Sequence, residues 1–250
     1  MKSDFQDPRF KNISVVIAAA GKGTRSGLDY PKCLYRIKKR SILERIIDTL
    51  YCVDPDPIII TSRSGREQIF QEVSRLKVNA NLIIQENQNG MGDAVMQLNQ
   101  VKKSLQKNIL LIWGDVPFIS RDTIERLIYQ HFSEDNHFTL PTIFADHPYT
   151  IIQRDDQNSI SSVIETKINP KVAVPTRGER DLGLFLFDKN TILDLLVQDL
   201  PKKINDHDSE HGFLYLIEHL YNKNFKIGSI EVTNQKESIS FNSLDDLSIY

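Results

Sequence analysis

Residues Ile13 to Ala19 read Ile-Ser-Val-Val-Ile-Ala-Ala, an almost unbroken apolar run rich in β-branched side chains. A strand of this composition has no polar face to offer water, so it needs cover on both sides, as a central strand of a helix-flanked sheet has. The run ends in Ala18-Ala19-Ala20-Gly21-Lys22-Gly23-Thr24-Arg25. Side chains this small let the backbone approach a ligand closely, and their N–H groups can form an anion-binding nest. Lys22 and Arg25 add positive charge, and Pro31-Lys32 is a rigid turn that aims a further lysine back toward the loop.

The rest of the first half repeats the strand–helix alternation. Ser41 to Tyr51 carries Ile42, Leu43, Ile46, Ile47 and Leu50 at helical spacing, and Ser41 with Glu44 predicts a capping box. Pro57 to Thr61, Asn81 to Gln85 and Asn108 to Trp113 read as strands. Gly65 to Leu76, Met91 to Leu105 and Arg121 to Phe132 read as helices. This order predicts an α/β fold with a mainly parallel sheet and helices on both faces. After Phe138 the rhythm changes. Strands are expected over Phe138–Phe144, Tyr149–Arg154 and Ser159–Thr166 without intervening helices, then a loop over Lys167–Arg180 and a strand over Asp181–Phe187. Asp188 is expected to cap a helix reaching about Gln198, with a second helix over Glu210–Asn222 and a strand over Phe225–Val232. With no repeat, low-complexity segment or Pro-rich linker, residues 1–250 are expected to form one domain whose second part is antiparallel.

Bulk properties limit the partners. Lys and Arg number 31 against 33 Asp and Glu, so no global basic field draws nucleic acid or anionic lipid, and an anionic substrate must be met by local charge. The two cysteines, Cys33 and Cys52, provide no disulfide framework, the polar start does not resemble a signal peptide, and no apolar run is long enough to span a bilayer. The expectation is a cytoplasmic protein acting on small molecules.

Spacing separates the opening loop from two better-known phosphate loops. Gly21, Gly23 and Gly27 miss the G-x-G-x-x-G dinucleotide spacing by one residue, and Thr61-Ser62-Arg63 supplies no acid to grip a ribose. The Walker pattern G-x-x-x-x-G-K-[ST] is absent.

Ala19-Ala20-Gly21-Lys22-Gly23-Thr24-Arg25 followed by Pro31-Lys32 resembles the signature loop of the sugar-1-phosphate nucleotidyltransferases, a MobA-like NTP transferase type of domain. The uridylyltransferase domain of the bifunctional N-acetylglucosamine-1-phosphate uridylyltransferases looks most similar. The resemblance continues in Gln88-Asn89-Gly90-Met91-Gly92-Asp93-Ala94, in Gly114-Asp115-Val116-Pro117 and in Phe241-Asn242-Ser243-Leu244-Asp245-Asp246-Leu247. It implies a Rossmann-like (GT-A-like) mixed, mainly parallel sheet. Residues of about 11–135 would bind the nucleotide, and those of about 136–250 would bind the acceptor and close the site.

The implied reaction is in-line attack of a sugar phosphate on the α-phosphorus of an NTP such as UTP, with pyrophosphate leaving. The nucleophile is already an oxyanion, so positioning and charge stabilisation are the whole task. Ala19, Ala20, Gly21, Lys22, Gly23, Thr24 and Arg25 would hold the triphosphate, and Lys32 would reach the α-phosphate or the attacking phosphate. Gln88, Gly90 and Gly114 would contact the nucleoside, a Gln amide being able to pair a donor and an acceptor on a pyrimidine edge. Asp115, at the end of a strong apolar strand, suits Mg²⁺, which takes one or two carboxylates plus phosphate oxygens. The resemblance points to Asp206 as the second ligand, with Asp208 and Asn205 open, and to Glu165 and Asp181 as acceptor contacts. His207 and His211 have a spacing that can bind zinc on a helix.

Three departures bear on specificity. Met91 stands where the family usually has Thr, Pro148-Tyr149-Thr150-Ile151 lacks the glycines that contact N-acetylglucosamine, and, with no hexapeptide repeat among these residues, acetyl transfer is not expected. A cytidylyltransferase of a polyol or choline phosphate, a non-catalytic nucleotide-binding module and a glycosyltransferase are the competing readings.

Overall fold

A computed structural model describes residues 7–21, 26–165, 175–204 and 209–247. The first strand, β1 (Ile13–Ala19), lies at the middle of the sheet. A two-residue-strand hairpin follows, β2 (Arg36–Ile37) and β3 (Arg40–Ser41), and leads into α1 (Ile42–Leu50). Then come β4 (Ile58–Ser62), α2 (Arg66–Leu76), β5 (Asn81–Gln85), α3 (Met91–Met96), β6 (Asn108–Trp113) and α4 (Arg121–Ser133). The second half contains β7 (Phe138–Asp146), β8 (Thr150–Arg154), β9 (Ile160–Glu165), β10 (Arg177–Asp181), β11 (Leu184–Asp188), α5 (Lys189–Leu196), α6 (Leu216–Asn222) and β12 (Ile227–Glu231).

β6, β1, β4 and β5 are parallel neighbours, as the alternation predicts. The second half continues the same sheet: β11 pairs antiparallel with β6, and β7 takes β10 and β11 antiparallel and β12 parallel. Thr142 of β7 pairs with both Asp181 and Glu231, so β12 lies on the opposite side of β7 from β10. β10 and β11 therefore run as one bent line that continues past the end of β6. The hairpin β8–β9 is a separate ribbon packed on β10 and α6.

Both faces of β1 are covered. Val15 and Ile17 join the core under α1, α2 and α4, while Val16 and Ala18 join the core under α3, α5 and α6. Ser41 caps α1 by accepting from the Glu44 amide at 3.0 Å. The reciprocal half of the expected capping box is not made, because Arg40 and Arg75 take the Glu44 carboxylate. A free capping carboxylate would reach back to its own backbone; here two guanidiniums compete more strongly for it.

Four expected elements change. The helix after Met91 tightens into a 3-10 turn over Gln97–Val101, where the Asn99 side chain bonds the Met96 carbonyl at 3.1 Å and competes with the regular ladder. The expected Asp181–Phe187 strand is broken at Gly183, whose φ of +70° turns the chain while its amide donates to Asp181 at 2.9 Å. Part of the expected Lys167–Arg180 loop is strand β10, recruited by pairing with β7. The helix expected from Glu210 starts only at Leu216, because the His211 and Gly212 amides donate outward to Asn89 and Lys203.

Candidate active site

The carboxyl ends of β1, β4, β5 and β6 form one edge, where ligands of open α/β sheets bind. Two concavities lie along it. One, of about 200 Å³, has Gly21, Pro31, Ser62, Gly65 and Gln88 in its wall. The other, of about 260 Å³, has Gly90, Trp113, Asp115, Glu165, Arg180 and Asp181 among its lining groups. Of the predicted residues, Gly21 and Gln88 line the first, and Gly90, Asp115, Glu165 and Asp181 line the second.

On the first side, Ala20 is buried behind Gly21, and Gln88 donates its amide to the Ala20 carbonyl. That bond ties the end of β1 to the segment after β5. Gly114 lies flat on β1: its N–H donates to Ala18 at 2.9 Å, and an added Cβ would lie 3.0 Å from the Ala18 oxygen. Lys22, Gly23, Thr24 and Arg25 lie outside the described residues, as do Asn205, Asp206, His207 and Asp208.

Lys32 opens a short 3-10 turn after Pro31 and reaches across to the Phe241 carbonyl at 3.0 Å. The Phe241 N–H donates to the Asp115 carbonyl at 2.8 Å. The Phe241 side chain is fully buried, with its ring 4.6 Å from that of Tyr35. One late residue therefore connects the lysine to the backbone of the predicted metal ligand. In the sequence the Phe241 motif stands out only by resemblance; the further signal is a large aromatic among Ser240, Asn242 and Ser243, where a solvated tail would carry none.

On the second side, Asp181 lines the cavity, but both of its oxygens are engaged. Oδ1 accepts from the Thr150 hydroxyl at 2.6 Å and Oδ2 from the Gly183 amide at 2.9 Å. Its carboxylate braces the bend between β10 and β11, so its shape-setting role precedes any contact with an acceptor. Glu165 lies at the end of β9 and faces the same cavity.

Gly90 and Gly92 have a reason to be glycine that the sequence does not reveal. Segment 210–212 docks directly on this turn, with His211 N donating to Asn89 at 2.7 Å and Gly92 N to His211 at 2.9 Å. A Cβ on Gly90 would lie 2.5 Å from the His211 oxygen, and one on Gly92 would lie 2.0 Å from that of Gly212. Gly90 also has φ +95°, which L side chains rarely adopt. Gln85, not singled out from sequence, is buried at the end of β5 and holds the turn through the Gly90 carbonyl at 3.0 Å and Asp93 at 2.7 Å.

His211 is buried, and its Nε2 lies 3.2 Å from the Tyr215 hydroxyl. Burial pushes its pKa down to about 4, and burial raises Tyr215 to about 12. A neutral imidazole held by a phenol lines the cavity here. Among the described residues no three His, Cys, Asp or Glu side chains are grouped to hold a metal. Cys33 is buried, and desolvation raises its thiol to about 12, so it is a core residue beside the site and not a nucleophile.

The sheet edge thus carries the start of the small-residue loop at Ala20 and Gly21, with Asp115 two residues beyond the end of β6. Residues 15–182 match the MobA-like NTP transferase domain, and the chain belongs to that family. It is 29% identical over 233 residues to the bifunctional protein GlmU of Lactobacillus delbrueckii, covering 91% of this chain and 48% of the relative. It is also 29% identical over 206 residues to the bifunctional protein GlmU of Synechococcus, covering 82% of this chain and 44% of the relative. The chain thus spans about half the length of the curated relatives it matches. A crystal structure from Bacillus anthracis assigned as a glucose-1-phosphate thymidylyltransferase superposes with a TM-score of 0.71 at 16% identity, over 94% of this chain and 92% of that one. That match shows the shared fold. Among the described residues, no helix is long and apolar enough to cross a membrane.

Proposed function

We propose that this chain is a sugar-phosphate nucleotidyltransferase that transfers NMP from an NTP, with UTP as the donor, to a sugar 1-phosphate and releases pyrophosphate. The observation that carries the reading is the link Lys32–Phe241–Asp115, in which one residue accepts from the lysine and donates to the backbone of Asp115, a residue that lines the larger concavity. Family membership and the similarity to the GlmU proteins support the class of reaction. The choice of UTP rests on the resemblance to uridylyltransferase domains.

The assigned roles follow from placement. The Gly21 backbone with Lys22 and Arg25 holds the β- and γ-phosphates, and Lys32 holds the α-phosphate or the attacking phosphate against charge repulsion. Gln88 sits between the loop and the nucleoside side, where its carbonyl is available to a base. Glu165 receives acceptor hydroxyls. Asp115 offers a hard oxygen donor at the cavity wall, the donor type Mg²⁺ requires, and Asp206 is the second ligand proposed. When bound, Mg²⁺ supplies charge neutralisation between the reacting phosphates. Residues 1–250 are proposed to act as one domain, in the cytoplasm, without nucleic acid or membrane partners.

The test is pyrophosphate release with each NTP and a panel of sugar 1-phosphates, with and without Mg²⁺. Lys32→Ala and Asp115→Ala should each lower the rate by at least ~10²-fold. Unchanged release by either variant would contradict the assignment, and activity restricted to transfer from a finished nucleotide sugar would replace it with a glycosyltransferase.

A further inference from the structure

Arg180 is nine-tenths buried, yet among the described residues no carboxylate lies within ion-pair distance of its guanidinium. Its protein contacts are few. Nε donates to the Asp181 carbonyl at 3.0 Å, and Nη2 donates to the Tyr149 hydroxyl at 2.7 Å. Its planar group also stacks over the Tyr149 ring at 4.1 Å. A guanidinium carries five N–H donors, so about three remain without a protein acceptor. These free donors are not sealed in the core but open onto a cavity, where an anion can meet them.

The surroundings indicate where that anion arrives. Arg180 lines the 260 Å³ cavity, whose other charged lining groups are the carboxylates Asp115, Glu165, Asp181 and Glu210. His211 lines it as a neutral imidazole, its pKa lowered by burial. Arg180 is therefore the one fixed positive charge among the described lining residues. It sits on the strand line that continues past the end of β6, on the same side of β7 as β11, and thus close to Asp115 in the fold. An acceptor that brings an acid group into a cavity of carboxylates has to place that group against this cation. Tyr149 holds the guanidinium in place through its ring and hydroxyl, and Ser240 holds Tyr149 at 2.8 Å.

We propose that Arg180 is a specificity-determining residue that binds the acid oxygens of the acceptor, phosphate or carboxylate, through its uncommitted N–H donors. The inference rests on the reading of this cavity as the acceptor side of a nucleotidyltransferase. It has a readout that does not depend on turnover. Trp113 is the only tryptophan in the chain and lines the same cavity, so its fluorescence reports occupancy.

Wild-type protein is titrated without NTP with glucose 1-phosphate, glucuronic acid, glucuronic acid 1-phosphate and glucose. The first three should change Trp113 emission saturably, or at least one of them should, while neutral glucose should bind at least tenfold more weakly. Arg180→Gln should weaken the acid-bearing probes by tenfold or more, the range for lost charge-assisted hydrogen bonds. Arg180→Lys, which keeps the charge, should stay within about threefold to tenfold of wild type. Tyr149→Phe, which removes the hydroxyl but leaves the cation, should stay within threefold, an outcome a merely structural Arg180–Tyr149 pair would not produce. Loss confined to the two glucose- or glucuronate-linked phosphates identifies the transferring phosphate as the partner; loss confined to the two glucuronates identifies a second acid group. Equal binding of all probes by wild type and Arg180→Gln, or binding of glucose as tight as that of the acids, overturns the proposal. Failure of pyrophosphate release with every acceptor, while these titrations hold, would instead remove the reaction assigned above and leave an anion site.

Discussion

Phe241 is the residue through which a core substitution should become a catalytic one. Phe241→Ala removes a fully buried ring that packs at a tilt against Tyr35, with ring centroids 4.6 Å apart. Truncations of this kind cost ~3–5 kcal/mol in a core. The segment carrying Phe241 has a few other visible anchors, among them the bond of Ser240 to Tyr149 at 2.8 Å. A loss of that size is therefore enough to release the segment while the eight-stranded sheet stays folded. Released, it no longer offers Lys32 the carbonyl at 3.0 Å or Asp115 the amide at 2.8 Å. A hydrogen bond from a charged donor contributes ~1.5–3 kcal/mol, which corresponds to roughly 10–150-fold in rate if it is fully expressed in the transition state. The assay measures kcat and KM for NTP and sugar 1-phosphate by pyrophosphate release well below the melting temperature, alongside hydrogen exchange at the Phe241 amide. The expected result is fast exchange at residue 241 with kcat reduced tenfold or more, and Phe241→Leu intermediate in both. A variant whose amide exchanges freely but whose kcat/KM stays within threefold of wild type would refute the claim that this segment sets Lys32 and Asp115.

Other perturbations separate structure from chemistry. Gly92→Ala forces a methyl to 2.0 Å from the Gly212 oxygen, so it should lower thermal stability by several degrees and activity by tenfold or more, read by melting and by exchange at His211. Asp181→Asn puts an amide NH₂ against either the Thr150 hydroxyl or the Gly183 N–H, and should cost ~1–3 kcal/mol in a denaturant titration. His131 is buried between Thr139 at 2.8 Å and Asn108 at 3.2 Å, and burial lowers its pKa to about 4. The unfolded chain therefore binds the proton first, so stability is full above the ordinary value of 6.5 and falls by up to about 3 kcal/mol as pH drops from 6.5 to 4. His131→Gln should flatten melting temperature against pH in that window; an unchanged slope would exclude His131 as its source.

Much of the parallel half could be read along the chain because its signals are local. Asn81–Gln85 and Asn108–Trp113 match their expected bounds, and the five apolar residues of α1 are the ones buried. The β2–β3 hairpin escaped notice because Lys38 and Lys39 take positive φ of 48° and 73°, where Asn or Gly would have announced the turn. Strand β10 escaped because Arg177-Gly178-Glu179-Arg180-Asp181 has no strand-like alternation, and long-range pairing with β7 decides its conformation. The same division applies to the site. The small-residue loop and Asp115 declare themselves by neighbours in sequence. The orphan charge of Arg180 and the bridging backbone of Phe241 exist only after distant segments meet.

The bond from Lys32 to Phe241 spans 209 positions of the chain. During synthesis at ~5–20 residues per second, roughly ten to forty seconds separate the emergence of the lysine from that of its acceptor. Over that interval Lys32 lacks the carbonyl that receives it in the folded chain. The placement of Lys32 against residue 241 is thus a late property of the growing protein, acquired only when these two distant parts of the chain meet.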